Sequence, residues 1–108
     1  MITFACPYLG HDVELTDERA HHILAQHPEL QPGYEVYLRD TLSDPEQVRT
    51  SPRFGNARRF SRWFESLRGG KFVVVVVVSE PSPAERHWII TAYVARKLAR
   101  GVIEWQRP

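Results

Sequence analysis

The stretch ARRFSRWFESLRGGKFVVVVVVSEPSP, Ala57 to Pro83, decides the fold, because six consecutive valines, Val73 to Val78, sit near its centre. A β-branched run with no polar alternation is stable as a strand that is dry on both faces, and it is far shorter than the ~20 residues of a membrane span. Ahead of it the period is two. Arg58, Phe60, Arg62 and Phe64 point one way and Arg59, Ser61 and Trp63 the other. A tight turn at Arg68 to Gly70 joins the two segments, which predicts an antiparallel pair.

Working outward, EPSPAER is the next turn, and HWIITAYV reads as a third strand with His87, Ile89, Thr91 and Tyr93 on one face. ARKLARG makes a crossover or a short helical turn, and VIEW a short last strand. Upstream, LTDERAHHILAQHPEL has both ends of a helix: Thr16 as N-cap, Asp17 and Glu18 in the first turn, and Pro28 as the stop. Ala20, Ile23, Leu24 and His27 form its apolar stripe, with Arg19, His22 and Gln26 on a polar stripe beside it. PGYEVYLRDTL opens with a turn at Pro32 and Gly33 and continues as a mixed segment, helix being one option. SDPEQVRTSP reads as a short helix with Asp44 at its N-cap and Pro45 at its first position. The expected fold class is α+β, with N-terminal helices on one face of a four-stranded antiparallel sheet, in a single domain over residues 1–108.

Composition fits an ordinary globular chain, 43% hydrophobic and 25% charged. One cysteine, Cys6, cannot form an internal bridge, and the N-terminus lacks a secretory pattern, so a cytoplasmic setting is expected. The net charge of +1 conceals an asymmetry. Residues 1–47 carry nine acidic and two basic side chains, residues 49–108 four acidic and twelve basic. A cationic second half suits a polyanion if its side chains gather on one face, and otherwise is a solvated basic surface.

Among the five histidines, His22 and His27 lie five apart, not the three or four that place two metal ligands on one helical face, and no HExxH is present. No metal or cofactor is implied. The remaining toolkit of His22, His27, Arg58, Arg59, Lys71, Thr91 and Tyr93 suits RNA cleavage. Ribose brings its own 2′-hydroxyl nucleophile, histidine can move protons near neutrality, and arginine or lysine can neutralise charge growing on phosphorus. Each residue also has a plain role: His27 as a core or capping histidine, Arg58 and Arg59 as edge-strand protection, Thr91 and Tyr93 as ordinary strand residues.

The blocks HHILAQHPEL, TLSDPEQVRTSPRF, ARRFSRWF, KFVVVVVV and WIITAYVARKLARGVIEW follow one another in a way that resembles the phage-associated nuclease-like domains grouped with barnase, EndoU, colicin and RelE toxins (the PBECR group). The similarity spans residues 15–105. It implies a metal-independent ribonuclease, a toxin or phage effector, with His22, His27, Lys71, Thr91 and Tyr93 as catalytic residues. Arg19, Arg58, Arg59 and Arg62 would then bind RNA phosphates, and an antitoxin or immunity protein would be a partner. A catalytically silent module binding RNA or protein through the same groove, or a domain whose sheet dimerises, are the alternatives from other classes.

Overall fold

The computed structural model describes residues 1–53 and 55–108. Its elements are β1 (Ile2–Cys6), β2 (His11–Leu15), α1 (Asp17–Gln26), a single 3₁₀ turn (Pro28–Leu30), α2 (Tyr34–Ser43), β3 (Gln47–Thr50), β4 (Ala57–Phe64), β5 (Lys71–Glu80), β6 (Arg86–Ala95) and β7 (Ile103–Gln106). The seven strands form one sheet in the order β1-β2-β6-β5-β4-β3-β7. All neighbouring pairs are antiparallel except β2 and β6, which run parallel at Glu14 and Trp88.

The expected four-stranded antiparallel sheet preceded by helices is therefore corrected to a seven-stranded mixed sheet with two short helices inserted after its first hairpin. Three changes account for the difference. Residues 2–15 form a hairpin whose inward positions Phe4, Cys6, Val13 and Leu15 are buried, a period-two pattern too short to stand out in the sequence alone. Asp44–Pro52 is not a helix. Its Val48 is fully buried, and β3 is hydrogen-bonded on both sides, to β4 and β7, so ladder pairing outweighs the local Asp-Pro start signal. Residues 96–102 contain no helical turn and carry β7 across the sheet to the far edge, beside β3 rather than β6.

The valine strand β5 lies fourth of seven. Val73, Val75 and Val77 are fully buried against Ile23, Leu30, Leu38, Leu42 and Phe60, on the face that carries the helices. Val74 and Val76 belong to a second, smaller cluster on the other face with Ala57, Tyr93 and Leu98. Burying each valine contributes about 1.5–3 kcal/mol, so this strand holds both layers together. Thr16 caps α1 through Oγ1, which accepts from the Arg19 amide at 3.1 Å. Helix α1 packs on β6, and α2 on β1, β4 and β5.

Two β-bulges redirect side chains. Val76 pairs with Thr91 and Val77 with Ile89, leaving Ile90 as the extra residue. This breaks the alternation expected for HWIITAYV: His87 and Ile89 keep to the helix-bearing face while Thr91 and Tyr93 move to the opposite one. In β7, Val48 pairs with Trp105 and Arg49 with Ile103, which makes Glu104 the extra residue. No helix among the described residues is long and apolar enough to cross a membrane.

Candidate functional site

The richest gathering of polar side chains surrounds a cavity of about 550 Å³ at one end of the helix-bearing face, lined by Tyr8, Asn56, Arg58, Ser79, Glu85, His87 and Glu104 among others. Its first wall begins in the β1–β2 turn, where Gly10 takes a φ of +71° that few other residues accept. The turn sends the Tyr8 ring over Phe60, 5.9 Å away and edge-on, and beside Trp105 at 6.0 Å. A residue from one edge of the sheet thus touches the strand at the other edge. Tyr8 donates its phenolic proton to Glu104 Oε2, and Arg58 Nε donates to the same oxygen at 2.8 Å. The β7 bulge makes this possible: its neighbour Trp105 packs on the core, and regular alternation would send Glu104 to the opposite face.

Burial alone would push the Glu104 carboxyl up, but the hydrogen bonds from Tyr8 and Arg58 and the guanidinium charge outweigh it and hold the group below the usual carboxylate range. Burial first, and then the Glu104 carboxylate, push the Tyr8 hydroxyl up to about 12. The pair is therefore a phenol and a carboxylate at neutral pH.

Ser79 and His87 form the second wall. They are direct cross-strand partners near the β5–β6 turn, on the same face. Ser79 Oγ lies 2.6 Å from His87 Nδ1, and Glu85 Oε2 lies 3.0 Å from His87 Nε2. The His87 side chain is only 7% exposed, so both ring nitrogens are satisfied inside the protein. His11, at the start of β2, adds Nε2 at 2.5 Å from the same Glu85 oxygen. The hydrogen bond with His87 is the main influence on Glu85, whose carboxyl is held below its ordinary range.

The residues expected from sequence are distributed differently. His22 lies exposed on α1 with Glu18, Arg19 and His21 around a shallow depression formed by that helix alone. His27 caps α1, with its ring 6.1 Å from that of Tyr93. Lys71 begins β5 and donates to the carbonyls of Arg68 and Gly70, roughly 26 Å along the strand from Ser79 at ~3.3 Å per residue. Thr91 and Tyr93 share a hollow of about 370 Å³ with Arg53, Arg59 and Arg100 on the opposite face. Arg62 is paired with Asp44 at 2.7 Å. Among all these, Arg58 alone reaches the main cavity; Tyr93 gathers His27, Thr91 and Arg59, and neither His22 nor Lys71 joins them.

Tyr8, His11, Ser79, Glu85, His87 and Glu104 carried little signal in the sequence. Ser79 and His87 flank a hairpin turn, so a correct register would have paired them, but Tyr8 and Glu104 are 96 residues apart and meet only through sheet curvature. The chain matches no family model, no curated protein and no solved structure.

Proposed function

We propose that the Tyr8–Arg58–Glu104 and Ser79–His87–Glu85 cavity cleaves RNA without a metal, through attack of the ribose 2′-hydroxyl on its own phosphate. The observation that carries this reading is that one cavity holds two separate proton-transfer groups, a carboxylate and an imidazole, together with an arginine. Glu104, ionised at neutral pH, takes the 2′-hydroxyl proton as O2′ bonds to phosphorus. Arg58, already turned toward that carboxylate, faces the charge that grows on the phosphorane oxygens. His87, donating from Nδ1, supplies a proton through the Ser79 hydroxyl to the 5′-oxygen as the P–O5′ bond breaks. The products are a 2′,3′-cyclic phosphate and a 5′-hydroxyl. The reaction class agrees with the resemblance to nuclease-like domains, with different residues performing it. On this reading the protein is a cytoplasmic effector, and a neutralising partner would cover the cavity.

The test is incubation of EDTA-treated protein with end-labelled RNA and with DNA of the same sequence. RNA is cut to the stated ends and DNA is spared; intact RNA would leave the binding-module reading in its place, and equal cutting of DNA would overturn 2′-hydroxyl attack.

A second reading rests on the 2.6 Å and 3.0 Å contacts of His87, which place a hydroxyl, a base and an orienting carboxylate in series. In this version Ser79 is itself the nucleophile of an acyl or phosphoryl transfer. A fluorophosphonate probe separates the two: a covalent adduct on Ser79, absent from Ser79→Ala, favours the serine mechanism, and no adduct alongside RNA cleavage favours the first.

A further inference from the structure

Beside the cavity, His11, Glu85 and His87 converge in a way that hydrogen bonding alone does not require. Glu85 directly precedes β6, His87 is the second residue of β6, and His11 opens the neighbouring β2. One carboxylate oxygen serves both histidines, at 2.5 Å from His11 Nε2 and 3.0 Å from His87 Nε2, and the rings stand 5.4 Å apart. All three ligand atoms lie within 4.8 Å of one another.

Two imidazole nitrogens and one carboxylate oxygen, with a fourth side open, form a donor set suited to a zinc-class ion. Bonds of about 2.0–2.2 Å in tetrahedral geometry place ligand atoms roughly 3.3–3.5 Å apart. The Glu85–His87 separation is close to that already, and the Glu85–His11 separation reaches it when the carboxylate withdraws by about 1 Å. The two groups that must move are free to do so, His11 being 48% and Glu85 43% exposed, whereas His87 is held in place at 7%. Ser79 supports the remaining ring nitrogen: on binding, His87 Nε2 gives up to solvent the proton it shares with Glu85, and Nδ1–H donates to the Ser79 hydroxyl, the outer-shell support that metal-binding histidines usually have. Since Glu85 and His87 both line the cavity, the fourth position opens into it.

We infer that His11, Glu85 and His87 bind one divalent ion of the zinc class, and that its binding arrests the cleavage proposed above by holding Glu85 and His87 on an ion that stands in the cavity RNA must enter. The site stands independently of the cleavage reading; the arrest rests on it.

The test begins with metal-stripped protein titrated with Co²⁺ and then Zn²⁺, following visible absorption, with competition against a chromophoric chelator. One equivalent of Co²⁺ gives the intense bands of a four-coordinate ion, and Zn²⁺ abolishes them. His11→Ala and Glu85→Gln each weaken binding about tenfold or more while keeping parental circular dichroism, because both side chains are exposed. The doubly substituted His21→Ala/His22→Ala protein binds as the parent does. Failure to bind one equivalent, or binding indifferent to His11→Ala and Glu85→Gln, overturns the site. Where the parent cuts RNA, Zn²⁺ stops it at concentrations that track binding; cleavage that persists with metal bound overturns the arrest. Binding without any cleavage upholds the site and removes the reaction instead.

Discussion

Arg58 and Arg59 are neighbours on β4, yet the pleat sends them to opposite faces and into opposite kinds of work. Arg58 faces the cavity and is held by a single side-chain carboxylate, that of Glu104. Arg59 lies on the other face and donates Nη2 to the main-chain carbonyls of Thr50, at 3.3 Å, and Arg100. Arg49 donates to the Ala99 carbonyl at 2.7 Å, so the two arginines tie down the segment that crosses to β7. A guanidinium paired with a carboxylate can exchange it for a phosphate. One held by backbone carbonyls is part of the scaffold, and the contrast shows that a basic cluster in a sequence need not be a binding surface.

The largest expected effect comes from damaging the strand that both faces share. Val75 is fully buried at the centre of β5, and Val75→Asp places an unpaired charge there; circular dichroism should show no folded protein, and native-like melting would dissociate the two faces. Next in size is the loss of chemistry on one face only. Glu104→Gln and Arg58→Ala each remain folded, and RNA cleavage falls by about 10²–10⁴-fold in Glu104→Gln, where the proton acceptor is gone. Cleavage at the parental rate would remove Glu104 from the mechanism.

Arg59→Ala should do the reverse, lowering stability by about 2 kcal/mol in urea unfolding through the loss of charged hydrogen bonds, with folded protein cleaving as the parent does. Gly101→Ala is the companion variant. A Cβ there would meet the Arg59 guanidinium and come within 2.8 Å of the Thr50 carbonyl, so it should destabilise in the same direction. If Arg59→Ala melts like the parent but loses RNA affinity, the division of labour between the two arginines is wrong.

The smallest effect is a pH dependence confined to the cavity. The Tyr8 hydroxyl is pushed up to about 12 in the folded protein, so its contribution is fully present below its ordinary value near 10 and is lost as pH rises through the folded value. Comparing melts at about pH 9 and pH 11.5, the parent should lose more stability than Tyr8→Phe, which has no proton to give up. Glu104 works in the other sense, its contribution being present above the ordinary carboxylate value and lost as pH falls through its lowered one. Parallel curves for parent and Tyr8→Phe at high pH would mean that the fold does not hold the phenol protonated.

What was legible in the sequence follows from the range of the interactions. The stretch 57–83 revealed β4, the turn at Arg68 to Gly70 and the buried strand β5, because period-two alternation and the absence of polar residues act over a few neighbours. The capped helix at Thr16 was readable for the same reason. The failures were equally physical. Asp44 and Pro45 look like a helix start until β4 and β7 pair with Val48 from both sides, and the alternation in β6 holds only up to Ile90, where a bulge shifts the register.

The sequence by itself determined that this chain builds a sheet around a dry central strand and carries a cationic second half, since hydrophobic periodicity, capping and charge are properties of nearby residues. The tertiary structure alone decided where the chemistry lies. The strand order puts β1 and β7 at opposite edges, the curvature of the sheet brings the β1–β2 turn within reach of β7, and a single extra residue in β7 turns Glu104 toward Tyr8 and Arg58. A cavity assembled from residues 8, 58, 79, 87 and 104 has no local pattern, because nothing in the chain between them records the curvature that closes the distance.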